Sequence, residues 1–261
     1  MKTIHFFTFL LLLQFNLELI AQKKSPQKDA IDDVLTFHLL DIESGLSNNY
    51  INSIEQDSIG FIWIATADGL NRYDGIQFTT YRNNDQNGLT NNNIAEIKYH
   101  KKSGELIFST DEGLNKYLPK LENFEPYSKK NKSLNKFINS FIIDPNENLA
   151  VSMLRGQEGL YILDKEGIVE SFKHEPSSDT SLSANEISSL VLQNDSTLWI
   201  GTFHGGLNKM DYSKKTITRV GQNSKTFSKS INTIYIDLDD NVWIGSKNGI
   251  QVITKKNDTL S

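Results

Sequence analysis

The chain has 261 residues, 38% apolar and 10% aromatic, which is core enough for one or two domains and too apolar for a disordered chain. Its formal net charge is −5, from 27 basic and 32 acidic residues with no basic block, so nothing marks a nucleic-acid surface. It has no cysteine, which excludes disulfides, thiolate metal sites and a thiol nucleophile.

Lys2 precedes an apolar run from Ile4 to Leu13, and small Ala21 suits the residue before a cleavage point. This is the layout of a secretory signal over residues 1–21, and it predicts an exported, periplasmic chain starting near Gln22. An uncleaved anchor or a buried strand is the alternative, although the run is short of the ~20 apolar residues of a membrane span. Leu19 is large for the small-x-small rule, so the cut is less well marked than the export. Residues 22–34 are polar and read as a linker. No second apolar segment follows, so the mature chain is expected to span no membrane.

From Leu35 onward the chain reads as strands. Leu35 to Leu40 is a short apolar run, Gly45 to Asn49 a turn, Tyr50 to Gln56 a strand and Asp57 to Gly60 a hairpin turn. Ile62, Trp63 and Ile64 bring the β-branched and aromatic bulk of a buried strand. Asp68-Gly69 is a turn dipeptide, Leu70 to Tyr73 a third strand and Ile76 to Tyr81 a fourth. No segment keeps a 3.6-residue apolar period, so no helix is expected after the signal.

The pattern recurs. Leu106 to Tyr117, Leu198 to Met210 and Val242 to Ile253 repeat the strand, turn and strand of Ile62 to Tyr73, and Leu149 to Leu163 is a degenerate copy. The closing glycines are Gly69, Gly113, Gly159, Gly206 and Gly249, in steps of 44, 46, 47 and 43 residues. Four antiparallel strands at ~40–45 residues is the arithmetic of a β-propeller blade. The fold expected is therefore all-β, an incomplete propeller over 35–261. Its blades fall at about 46–82, 89–128, 134–174, 182–220 and 229–261, with Leu35 to Leu40 as an extra strand. Trp63, Trp199 and Trp243 share one repeat position, where Ile107 and Ala150 stand in the second and third copies. The third blade is thus expected to be the most loosely packed, and the outer faces of the two terminal blades to be exposed.

The run G-L-S-N-N-Y-I-N-S-I-x-Q-D-x-x-G-F-I-W-I-A-T-x-D-G-L-N-R-Y-D-G resembles the two-component regulator propeller repeat, over about Leu35 to Thr254. The resemblance implies the periplasmic sensor half of a hybrid two-component system of the kind common in Bacteroidetes. Such proteins carry two seven-bladed propellers, a Tyr-rich immunoglobulin-like domain, a membrane helix and a histidine kinase. A response regulator with an AraC-type DNA-binding domain often follows. The sequence ends at Ser261 in the fifth blade, so this reading expects an N-terminal fragment and an open arc of a seven-bladed ring, with no kinase chemistry in the chain. By resemblance the ligand is a carbohydrate or oligosaccharide. The partners are the rest of the sensor propeller and a second copy of the chain, and no cofactor is implied.

Individual motifs add no chemistry. Asp237 to Asn241 starts like a calcium loop, but Val242 stands where Gly is needed and Asn248 where a bidentate Glu is needed. Gly201 to Gly206 has no following Lys-Ser or Lys-Thr, the five histidines show no zinc spacing, and there is no G-x-S-x-G elbow. In a blade, the turn into the first strand and the turn from second to third share a rim. The ligand-binding candidates are accordingly the second-to-third turn residues Asp68, Asp111, Glu112, Arg155, Gln157, Phe203, His204, Lys247 and Asn248, with no metal ligand among them. Phe203 is suited to stack on a sugar face and Arg155, His204 and Asn248 to bond hydroxyls. A propeller lyase or glycosidase, or an adhesion scaffold, is the alternative function, because propellers host many activities.

Overall fold

A computed structural model describes residues 37–127, 137–153, 158–164, 168–222 and 224–254. Among these there are nineteen strands and no helix. The first blade is β1 (Ile51–Gln56), β2 (Ile62–Thr66), β3 (Gly69–Tyr73) and β4 (Phe78–Tyr81). The second is β5 (Ile94–His100), β6 (Glu105–Thr110), β7 (Gly113–Leu118) and β8 (Asn123–Pro126). The third is β9 (Ile138–Ile143), β10 (Leu149–Met153), β11 (Leu160–Leu163) and β12 (Ile168–Phe172). The fourth is β13 (Ile187–Leu192), β14 (Thr197–Thr202), β15 (Gly206–Asp211) and β16 (Thr216–Val220). The fifth shows three strands among the described residues, β17 (Ile231–Ile236), β18 (Val242–Ser246) and β19 (Gly249–Ile253). Every sheet is an antiparallel meander in chain order, the arrangement of a β-propeller. All the blades lie in the compact unit Leu40–Ser261.

The repeat residues account for the blade geometry. All five closing glycines have φ between +80° and +128°, a region where an L side chain is strained. At Gly159 a Cβ would also sit 2.2 Å from the Phe172 carbonyl oxygen, whereas at Gly249 it would meet nothing. A bulge interrupts the pairing of the first two strands in every blade, for instance between Ile51 and Ser53 and between Ile231 and Thr233. It turns two apolar residues three apart, such as Ile94 and Ile97, to the same buried side.

The core lies between blades. First strands of neighbouring blades touch in the sequence β1, β5, β9, β13, β17. Four apolar clusters match the four blade-to-blade seams: Trp63 and Leu70 with Ile94 and Ile97, Ile107 and Leu114 with Ile138 and Phe141, Ala150 and Leu160 with Ile187 and Leu190, and Trp199 and Leu207 with Ile231 and Ile234. Each indole N–H donates to the residue that opens its own first hairpin, Trp63 to Asp57, Trp199 to Gln193 and Trp243 to Asp237, each at 2.8 Å.

Two expectations are corrected. Residues 37–40 form no strand, while 35 and 36 lie outside the described residues, as do the expected signal and linker. The third blade is not loosely packed where it is described, because Ala150, Val151 and Leu160 are fully buried. Phe141 supplies beside Ile107 the bulk that Trp63 supplies in the first seam, and Tyr212 joins the cluster around Ala150.

Candidate ligand-binding rim

In the first, second and fourth blades an Asn side chain ties the entering turn to the third strand. Asn71 accepts from the Ser47 amide at 2.9 Å and donates to the Ser47 hydroxyl at 2.7 Å. Asn208 repeats both bonds with Ser183, and Asn115 donates to Thr90 at 2.9 Å. Ser47 also meets Thr66 at the end of the second strand, at 2.8 Å. Contacts extend to the next blade: the Gly69 amide donates to the Asn92 carbonyl and the Gly206 amide to the Lys229 carbonyl. Entering turns and second-to-third turns therefore do share one rim.

On that rim the candidates separate. Asp68 is engaged by Arg82, at 3.3 Å from both Nε and Nη2, and by Asn92 at 3.4 Å. Asp111 accepts from Asn93 at 3.2 Å. Asp68 thereby holds the first blade to the next blade's entering turn, whereas Asp111 is tied to the entering turn of its own blade. Glu112, Lys247 and Asn248 are exposed, and the backbone amides of Glu112 and Asn248 are held by Thr110 and Ser246. Arg155 and Gln157 lie outside the described residues. Phe203 is half-buried, with its ring centroid 6.5 Å from that of exposed His204. The His204 Nε2 is 3.1 Å from Glu186.

Beside His204 the fourth and fifth blades enclose a cavity of about 310 Å³. Ser183, His204, Gln222, Ser224, Phe227 and Lys229 line it, a largely polar wall with one phenyl ring. Gln222, Ser224 and Lys229 were not singled out by sequence. Gln222 and Ser224 sit in the connection between blades and carry no repeat signal, whereas Lys229 lies in the fifth blade's entering turn, at the repeat place of Asn92. On the opposite rim a cavity of about 250 Å³ lies between the first two blades, walled by Phe61, Trp63, Tyr99 and Tyr117. Its guanidinium, Arg72, lies 4.9 Å from the Phe61 ring centre and donates to Tyr117 at 3.2 Å and Glu122 at 3.3 Å. Burial opposes the Arg72 charge, but Tyr81, Tyr117 and Glu122 outweigh it and raise its pKa.

The Asp237 loop is a hairpin turn. Asp237 accepts from the amides of Asp239 and Asn241, from the Asn241 side chain and from Trp243, which occupies both carboxylate oxygens. Among the described residues no three His, Asp or Glu side chains are placed to hold a metal ion.

Comparison with known proteins bears on the repeat itself. Residues 45–68 match the family described as two component regulator propeller. The match covers the entering turn and first two strands of the first blade. Histidine kinase P4 from Formosa agariphila is 48% identical over 46 residues, which are 18% of this chain and 3% of that protein. The extracellular domain of a B. thetaiotaomicron protein described as a hybrid two-component system superposes with a TM-score of 0.71 at 26% identity, over 86% of this chain and 31% of that one. A second such domain from the same organism gives 0.72 at 22% identity, over 87% and 33%. The chain thus spans about a third of the length of the solved structures it matches. Its propeller is similar to those in the extracellular domains of proteins described as hybrid two-component systems. Both solved domains are extracellular, and among the described residues no helix is long and apolar enough to cross a membrane.

Proposed function

We propose that this propeller is the periplasmic ligand-sensing part of a hybrid two-component sensor, that its ligand is an oligosaccharide, and that the ligand sits on the rim of the entering and second-to-third turns. The cavity beside His204 is the observation that carries this reading. Its serines, amide, ammonium and imidazole offer donors and acceptors without a fixed charge pattern, as a polyhydroxylated ligand requires, and Phe203 stands next to it to stack on a pyranose face. The scaffold beneath is rigid, while the side chains on it vary from blade to blade, which is where recognition usually resides. Binding without turnover is the role assigned. A kinase carried elsewhere in the sensor would read the signal.

Calorimetry of the sensor domain with candidate oligosaccharides tests the assignment. Phe203→Ala, His204→Ala and Lys229→Ala should each weaken binding about tenfold or more, the loss of one good contact. Matched changes on the opposite rim, at Lys102, Glu147 and Asp240, should leave it unchanged. Binding lost only from the opposite-rim set would sink the assignment, and hydrolysis or elimination of the sugar would favour the enzyme reading.

A further inference from the structure

We propose that the opposite-rim cavity between the first and second blades binds a small aromatic carboxylate. It is separate from the rim assigned above to the oligosaccharide. Both of its walls belong to a seam that is closed inside the molecule by the cluster around Trp63.

Three of the wall residues depart from the repeat. Phe61 stands two places before Trp63, where the other copies carry the polar residues Glu105, Asn148, Thr197 and Asn241. Tyr99 pairs with Leu106 at the end of its first strand, a place held elsewhere by Gln56, Ile143, Leu192 and Ile236. Arg72 pairs with Trp63 across the second and third strands, a place held elsewhere by Lys116, Ile162, Lys209 and Val252. The blade forms with other side chains at each of these places. Yet the ring, the phenol and the guanidinium line one cavity.

The chemistry of the walls names the ligand. The Arg72 guanidinium carbon lies 4.9 Å from the Phe61 ring centre and 5.8 Å from that of Trp63, so two aromatic faces hold the planar fork in place. Nη1 donates to Tyr117 and Glu122, whereas Nε and Nη2 meet no acceptor among the described residues. That pair of nitrogens is the edge that takes a carboxylate side-on. Arg82 uses the same edge on Asp68, with Nε and Nη2 both at 3.3 Å, and Arg219 spends its Nε and Nη2 on the carbonyls of Ser181 and Ser178. Two carboxylates already line the cavity, and neither takes the open edge. Asp57 is occupied by the amides of Ile59, Gly60 and Phe61 and by the Trp63 indole, and Glu122 sits on Nη1. At about 250 Å³ the cavity is smaller than the ~300–1,000 Å³ of pockets for drug-sized ligands, whereas an apolar cavity of about 150 Å³ already holds benzene. One ring with a short acid arm fits, and an oligosaccharide does not.

Calorimetry of the chain with phenylacetate tests the site. Phenylacetate should bind saturably. Phenylacetamide, which lacks the charge, and acetate, which lacks the ring, should each bind at least about tenfold more weakly. Arg72→Lys and Phe61→Thr each install a residue type that another copy of the repeat carries at that place, so circular dichroism should find the sheets intact. Each should weaken phenylacetate binding about tenfold or more, because lysine has no fork and threonine no ring. Phe203→Ala, on the other rim, should leave it unchanged. Wild-type chain with no saturable binding below about 10 mM phenylacetate would overturn the proposal. So would equal affinity for phenylacetate and phenylacetamide, full affinity in the Arg72→Lys variant, or affinity lost in the Phe203→Ala variant. Methyl glucoside bound more tightly than phenylacetate, with the same dependence on Arg72, would assign the cavity to a sugar and overturn it too. The comparison of probes on the wild-type chain decides the matter should either variant unfold its blade.

Discussion

Asp237 shows how much of a turn one carboxylate can organise. The Trp243 indole and the Asn241 side chain bond its charged form and lower its pKa to about 2, from an ordinary 3.8. A depressed carboxylate pKa contributes stability that is present above the unfolded value and is lost as pH falls through the folded one, here between roughly pH 4 and pH 2. The group is solvent-exposed, so the effect is modest and screened by salt. Asp237→Asn should therefore lower the melting temperature slightly at pH 7, and the gap to wild type should close by pH 2. Gln193 holds Trp199 with a neutral oxygen in the same place, so the amide variant keeps the turn. A gap that widens in acid would contradict this role for Asp237.

The second strand of each blade has one position where neighbouring context decides the energetics. Trp63 is buried in a cluster with Tyr81, Tyr117 and Phe124, its ring centre 4.8 Å from that of Tyr117. Trp63→Ala should cost about 3–5 kcal/mol, the range for removing a core aromatic. Trp243→Ala, at the same repeat position with the next face uncovered, should cost only about 1–2 kcal/mol when measured on dilute single chains. Urea melts of the two variants measure the difference, and equal losses would show that the terminal face is covered. Strand positions, hairpin turns and closing glycines were legible because each is a local choice: an apolar run, a turn dipeptide, a position at positive φ. Partner choice was less legible. Nothing local shows that Phe141 compensates for Ile107 from a strand about thirty residues on, or that Arg82 takes up Asp68. His204 was found because it belongs to a repeat turn. Gln222 was missed because its connection has no pattern, Lys229 because an entering turn alone does not show which cavity it borders, and the apolar run at Leu35 to Leu40 suggested a strand that residues 37–40 do not form.

At the scale of the molecule, stability should follow position along the row of blades. Each blade buries its faces against its neighbours, so stability is close to a sum of blade terms and nearest-neighbour seams. Among the described residues the second, third and fourth blades have two seams each, and the first and fifth have one. The fifth also shows three strands among the described residues, which leaves β19 at the edge of its sheet. Local opening should therefore begin at the fifth blade, where Trp243 and Ile250 gain least from staying folded. Hydrogen exchange on dilute chain should find the amides of β17, β18 and β19 exchanging first. Those of β1 and β2 should come next, and those of β5, β6, β10, β13 and β14 last. Uniform protection across all five blades would mean that the molecule opens as one cooperative whole, and that a row of seams is the wrong description of what holds it together.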